Sequence, residues 1–184
     1  MIEGIPVDRA RARLTGTYSV TDRLMVGIEI NPYDDGDLDP DDWDVGPLVN
    51  YRALDETESR PALIIGTSSD RIGTPDGRAY YATLSKSLHR WTGLPVAPYV
   101  GTAFGEFEDE WELIGGLNIR WADRWTSTHL WDGENLHHIV DHSLGTGWRA
   151  GFVVAEQDGD YYAGLTVGVS LGSRKVEDAS PLEP

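Results

Sequence analysis

Alternation of apolar and polar residues runs along most of this chain. At residues 24–31 the apolar positions Leu24, Val26, Ile28 and Ile30 share one face, and residues 161–171 alternate as regularly. A period of two is typical of β-strands whose two faces meet different environments. The pattern predicts eleven strands, at residues 12–20, 24–31, 45–54, 60–68, 78–88, 96–106, 111–121, 125–132, 135–143, 148–155 and 161–171.

The first hairpin shows how a turn sets the pairing register. If residues 21–23 form a three-residue turn, Val20 pairs with Leu24 and the apolar faces of the two strands match. A two-residue turn would reverse one strand and destroy that match.

A second Asp-Arg pair, Asp123 with Arg124, predicts the same kind of turn at residues 122–124, with Trp121 opposite Trp125. We interpret both Asp-Arg pairs as turn chemistry. The Asp side chain caps the bend and the Arg keeps the turn in water.

Composition narrows the class of protein. The chain has 184 residues, a net charge of -16, no cysteine, 21 glycines and 7 tryptophans. The acidic charge argues against a nucleic-acid partner, and no apolar run is long enough for a membrane-spanning helix. We expect an all-β fold in a single domain over residues 1–171, followed by a polar, disordered tail at 172–184.

The connections between the strands alternate between two kinds. One end of the sheet collects short turns, and the other collects longer, acidic loops that would be extracellular. The tryptophans fall near strand ends, as in an aromatic girdle. These features predict an antiparallel up-and-down transmembrane-type β-barrel of about 10–12 strands, and the alternative is a soluble sandwich whose tryptophans lie in its core.

Two stretches resemble known families. The hairpin YSVTDRLMVGIEI and the closing GLTVGVSL resemble bacterial outer-membrane β-barrel proteins, and RPALIIGTSSDRIGTPDGRAYYATLSKSL (60–88) resembles the YjbH-like, exopolysaccharide-associated barrel family. The resemblance implies location in the bacterial outer membrane, contact with its lipid, and a role near envelope polysaccharide or its export machinery. It carries over no catalytic residue.

The chain departs from that class in three ways. No signal peptide is visible, Leu171 and a polar tail stand where a terminal aromatic is usual, and eleven is an odd strand number. We hypothesise that the chain lacks a first strand, or that one strand assignment is wrong.

The predicted inner face holds a polar set consisting of Arg13, Glu29, Glu112, Asn118 and Arg120. In a barrel of this size the interior is largely filled by side chains, so we interpret these residues as a lumen network of structural ion pairs. If the lumen is wet, the same residues could bind a small polar solute.

One acidic loop offers candidate metal ligands. Asp35, Asp37 and Asp39 alternate and carry the hard oxygen ligands that suit Ca²⁺. The loop is not an EF-hand, because Pro40 stands where that loop requires glycine. The alternative is a solvated acidic loop, and no other cofactor is indicated.

Serine and histidine side chains are the remaining candidates for a catalytic or metal-binding site. Ser127-x-His129 has the spacing that places both side chains on one face, as membrane hydrolase barrels require, with His138 a candidate partner of Ser127. No acid is clearly placed to orient a histidine, so ordinary strand pairing is the alternative. His138 and His142 share a face but lie about 13 Å apart, too far for one metal.

The sequence leaves three candidate functions. The preferred one is a non-enzymatic, porin-like outer-membrane barrel with a structural or transport-associated role. The alternatives are a barrel hydrolase that acts on lipid and a soluble lipocalin-like barrel. In the soluble barrel the apolar face would point inward, so the orientation of the strand faces separates the hypotheses.

Overall fold

The described part of the chain is built mainly from β-strands. The computed structural model describes residues 2–4, 12–31, 43–69, 77–106, 109–145, 147–157 and 159–169. Its elements in chain order are β1 (Ile2–Gly4), β2 (Ala12–Ser19), β3 (Leu24–Asn31), β4 (Asp44–Leu54), β5 (Ala62–Ser69), β6 (Arg78–Ser85), α1 (His89–Thr92), β7 (Val96–Gly105), β8 (Glu110–Ala122), β9 (Trp125–Trp131), β10 (Leu136–Gly145), β11 (Trp148–Gln157) and β12 (Asp160–Val169). The all-β prediction is confirmed.

The eleven long strands form one antiparallel up-and-down sheet in chain order, as predicted. These strands do not close into a barrel by themselves, because β2 and β12 do not pair with each other. The short strand β1 lies between them, with Ile2–Gly4 pairing with residues 165–167 on one side and residues 12–14 on the other. The ring is thus completed by three residues that the alternation analysis did not identify as a strand.

The register predicted for the first hairpin is confirmed, but the chemistry predicted for its turn is wrong. Tyr18 pairs with Val26, as the matched apolar faces require. The bend is held by the Thr21 hydroxyl, which accepts hydrogen bonds from the backbone N–H groups of Arg23 and Leu24 at 3.1 and 3.0 Å. The Asp22 side chain was expected in this role; Thr21 performs it because, as the first residue of the turn, it can accept from the backbone N–H groups two and three positions later.

The second Asp-Arg turn differs from its prediction. Trp125 pairs with Ala122 instead of Trp121, and the register shifts between Arg120 and Ala122. The connection is therefore a two-residue turn with a β-bulge at residues 120–122. The bulge absorbs one residue, so that Ile119 still pairs with Ser127.

Among the described residues, the connection between β6 and β7 holds a short helix, α1, which is followed by Gly93 in the left-handed conformation. In the described part of the chain, no helix is both long and apolar enough to cross a membrane. The predicted tail, the acidic loop at residues 32–42 and its candidate ligands Asp35, Asp37 and Asp39 lie outside the described residues.

The two faces of the sheet carry opposite chemistry. Each of the eleven long strands places at least one exposed large apolar side chain on the outside, for example Ile28, Ile65, Leu113 and Leu165. The inside buries polar side chains, among them those of Glu29, Asn31, Thr83, His137 and Thr166. The apolar positions that alternation assigned to one face therefore point outward.

Part of the interior is packed with apolar side chains. Val153 and Ala155 are buried on β11, and Ile139 of β10 and Tyr162 of β12 pack against them. This small core lies where β10 to β12 line the interior, away from the strands β3 to β9 that line the cavity described below.

Candidate functional site

A cavity of about 500 Å³ lies in the lumen, and strands β3 to β9 line it with both apolar and polar side chains. Its polar walls are made by Asn50, Ser68, Tyr81, Thr83, Tyr99 and Asn118, together with the carboxylates of Glu29 and Asp132. Hydroxyl, amide and carboxylate groups of this kind can bind the hydroxyl groups of a small polar solute.

Glycines on neighbouring strands let the two lumen tyrosines lie flat across the wall. A methyl group on Gly66 would come within 2.6 Å of the Tyr81 ring, and one on Gly116 would come within 2.6 Å of the Tyr99 ring. The Tyr81 hydroxyl donates to the Asn50 side-chain oxygen at 2.6 Å. Small residues opposite large ones thus shape the cavity.

The five residues of the predicted polar set occupy different places. Glu29 and Asn118 line the cavity; Glu29 is only 1% exposed and accepts a hydrogen bond from the Ser69 backbone N–H at 2.7 Å. The Asn118 side-chain oxygen accepts one from the Thr128 hydroxyl at 2.8 Å.

The other three members lie away from the cavity. Glu112 is half-buried beside Gly133, near the acidic-loop end of the barrel. Arg120 is exposed near the opposite end. Arg13 lies in β2 opposite Glu3 of β1, and its side chain is outside the described part of the structure.

An ion pair at the rim was not anticipated from the sequence. The Arg78 guanidinium binds both carboxylate oxygens of Asp44, at 2.7 and 3.3 Å, and Asn31 donates to Asp44 at 3.3 Å. Arg78 occupies the space that a side chain at Gly46 would need. Alternation could not reveal the pair, because Asp44 and Arg78 begin two strands that are not neighbours.

Asp132 forms a second polar cluster in the turn between β9 and β10. Its carboxylate accepts hydrogen bonds from His137 Nε2 and the Asn135 backbone N–H, both at 2.7 Å, and from the Glu134 N–H at 3.1 Å. Burial raises the pKa of the Asp132 carboxyl, but these hydrogen bonds outweigh the burial and hold its pKa below the usual value.

A third polar cluster lies on the outer face. Ser127 Oγ is 3.2 Å from His129 Nε2, and His129 Nδ1 is 2.7 Å from His138 Nδ1. The Trp121 indole N–H donates to Ser127 Oγ at 2.9 Å. Despite facing outward, Ser127 is only 2% exposed, because its neighbours cover it.

The spacing of Ser127 and His129 therefore identified a real contact, but the predicted partner of Ser127 was wrong. Ser127 lies opposite Val140 on β10, and His138 lies opposite His129. His138 reaches the serine through His129, because the antiparallel register places the two histidines side by side.

No group of three or more His, Asp or Glu side chains among the described residues is arranged to hold a metal ion. Comparisons with known protein families, with curated proteins and with solved structures found no match to this chain.

Proposed function

We propose that this chain is an outer-membrane β-barrel with a structural or transport-associated role in the bacterial envelope. The observation that carries the proposal is the sorting of side chains, with large apolar residues exposed around the outside and polar residues buried inside. Exposed apolar surface in contact with water is unfavourable, whereas lipid is a suitable environment for it. A soluble lipocalin-like barrel requires the opposite sorting.

The tryptophans support the same proposal. Trp121, Trp125 and Trp148 are exposed at one end of the strands, and Trp111 and Trp131 at the other. Trp111 and Trp121 lie ten residues apart on β8, which is about 33 Å along a strand. At a tilt of about 40° that separation spans about 25 Å, the height of the apolar band of a membrane barrel.

The lumen cavity supports a role that involves a polar solute. Its lining combines hydroxyl, amide and two carboxylate groups with apolar side chains and two tyrosines, and the residues that line it include no Lys or Arg. That chemistry favours a neutral polyhydroxylated ligand such as a segment of envelope polysaccharide, and disfavours an anionic one. Calorimetric titration with neutral and acidic oligosaccharides tests this preference.

The membrane location is tested with single cysteines, since the chain has none of its own. A polarity-sensitive fluorophore on Leu165→Cys, which is exposed in the middle of β12, is expected to show a blue-shifted emission in phospholipid vesicles and quenching by brominated acyl chains. The same fluorophore on Glu58→Cys, in the β4–β5 turn, is the control and should emit as in water. A monodisperse monomer without detergent, with no quenching at Leu165→Cys, would overturn the proposal.

A further inference from the structure

We infer that the outward Ser127–His129–His138 cluster is an acyl-ester hydrolase site, with ester-linked lipid as its substrate class. The choice of lipid rests on the proposed membrane location, whereas the nucleophilic chemistry of Ser127 does not. Ser127 and His129 are the catalytic residues, and His138 is a positioning residue.

The direction of the hydrogen bonds can be worked out from the donors. An indole N–H can only donate, so Ser127 Oγ accepts from Trp121. The hydroxyl proton of Ser127 is then free to be donated to His129 Nε2. If His129 Nε2 instead donated to Ser127 Oγ, the buried hydroxyl proton of Ser127 would have no acceptor among its described contacts.

The same reasoning determines the tautomer of His129. If Nε2 accepts from Ser127, neutral His129 carries its proton on Nδ1 and donates it to His138 Nδ1. A serine, a histidine with its bare Nε2 toward the hydroxyl, and a third group that accepts from Nδ1 make up the arrangement of a serine hydrolase. Here the third group is an imidazole, where an acid was sought in the sequence.

The location of the cluster indicates the substrate. Ser127 is the third residue of β9, two positions from Trp125, and it lies on the outer face under Trp121. Exposed tryptophans mark the level of the lipid headgroups, and the ester bonds of a lipid lie between headgroup and hydrocarbon. Polar side chains on a lipid-facing surface are costly and point to a functional role. The indole of Trp121 must move aside for an ester carbonyl to reach Ser127.

The reaction balances with water as the second substrate. Ser127 Oγ attacks the ester carbonyl carbon while its proton passes to His129 Nε2. The tetrahedral intermediate collapses, the C–O bond to the alcohol breaks, and His129 gives that proton to the departing lyso-lipid. Water then attacks the acyl-serine, donates a proton to His129 and releases the fatty acid, and the proton returns to Ser127 Oγ.

The first test measures covalent labelling of the folded full-length protein by an alkyl fluorophosphonate, which reports the nucleophilicity of Ser127 without requiring lipid. The wild type should be labelled on Ser127, and Ser127→Ala should not be labelled. Ser143→Ala on β10 is the matched serine control and should label like the wild type. Circular dichroism of each variant checks that it is folded.

The second test measures fatty-acid release from mixed micelles of phosphatidylcholine and detergent. Ser127→Ala and His129→Gln should each lose about 10³-fold or more in kcat. His142→Gln alters a histidine on the same strand and face as His138, outside the hydrogen-bonded cluster, and should stay within about twofold of the wild type.

His138 is tested as a positioning residue by two substitutions. His138→Asn keeps an oxygen that can accept from His129 Nδ1 and should retain most of kcat. His138→Leu removes the acceptor and should lower kcat by about 10²-fold or more with KM unchanged, because the lost contact orients His129 without touching the substrate.

The outcomes separate this inference from the proposed function. A wild type that inserts into vesicles but is neither labelled on Ser127 nor more active than Ser127→Ala overturns the hydrolase site and leaves the membrane barrel standing. Labelling of Ser127 in a protein that does not insert supports the nucleophile, and overturns the membrane location and the choice of lipid as substrate.

Discussion

A charge placed at two depths on one strand tests whether the outer face meets lipid. Leu165 and Tyr161 share the outer face of β12 and are equally exposed, at 67% and 66%. They are four residues apart, about 13 Å along the strand and about 10 Å in depth at a tilt of about 40°. In the proposed membrane barrel, with an apolar band about 25 Å tall, Leu165 would lie close to the midplane and Tyr161 close to the interface.

The expected costs follow from that depth. An arginine near the midplane of a membrane barrel costs about 2–4 kcal/mol, and one near the interface about 0–1 kcal/mol. Leu165→Arg should therefore destabilise the protein by about 2–3 kcal/mol more than Tyr161→Arg, a difference of about 30- to 150-fold in the folding equilibrium constant. If the outer face met water, both exposed substitutions would change stability by about 0.5 kcal/mol or less.

The assay is equilibrium unfolding by denaturant in phospholipid vesicles, followed by tryptophan fluorescence. Each variant is compared with the wild type under the same conditions of lipid and pH. Equal destabilisation at the two positions, or a larger loss at Tyr161, would refute the assignment of the apolar band to the bilayer.

Three further substitutions test the interior and the rim. Asp44→Ala leaves the half-buried Arg78 guanidinium without its carboxylate and should lower the free energy of unfolding by about 3 kcal/mol. Glu58→Ala, which removes an exposed ion pair, should change the free energy of unfolding by less than about 1 kcal/mol in the same denaturant titration. Gly66→Ala would put a methyl group 2.5 Å from a backbone carbonyl oxygen of β4 and should cost about 1–3 kcal/mol; an unchanged midpoint would contradict that packing. The pKa of Asp132 is lowered in the folded state, so its contribution to stability is complete above the usual value of 3.8 and is lost as the pH falls through the folded-state pKa. Unfolding free energies measured from pH 7 to pH 2 should show this loss in the wild type and not in Asp132→Asn.

Much of the fold could be predicted from the sequence, because the two-residue alternation of a β-strand is visible within a few neighbouring residues. All eleven long strands were placed within a few residues of their observed ends, and the first hairpin register was correct. The predicted Trp121–Trp125 pairing was wrong because a β-bulge shifts the register by one residue without disturbing the alternation on either side. Strand β1 was not predicted because three residues are too few to show a two-residue alternation.

The candidate sites were harder to predict, for the same physical reason. A residue's face follows from local alternation, so Glu29 was correctly assigned to the inside. Its partner, the backbone of Ser69, is forty residues away, and nothing local indicates the distance between them. Ser127 and His129 were found because they share one strand, whereas His138 was assigned to the wrong neighbour, since which histidine it meets depends on cross-strand register.

The order of the residues thus suffices to define the strands, their two faces and most of the turns, because these depend on backbone geometry over a few residues. It leaves open which face points outward, since an alternating strand satisfies its pattern in either orientation. That choice is made when distant strands pair into a ring, because the curvature of the whole sheet, which no single strand encodes, decides which face it encloses. The same curvature and register bring together Ser127, His129 and His138 on the outer face, and Asp44 with Arg78 at the rim.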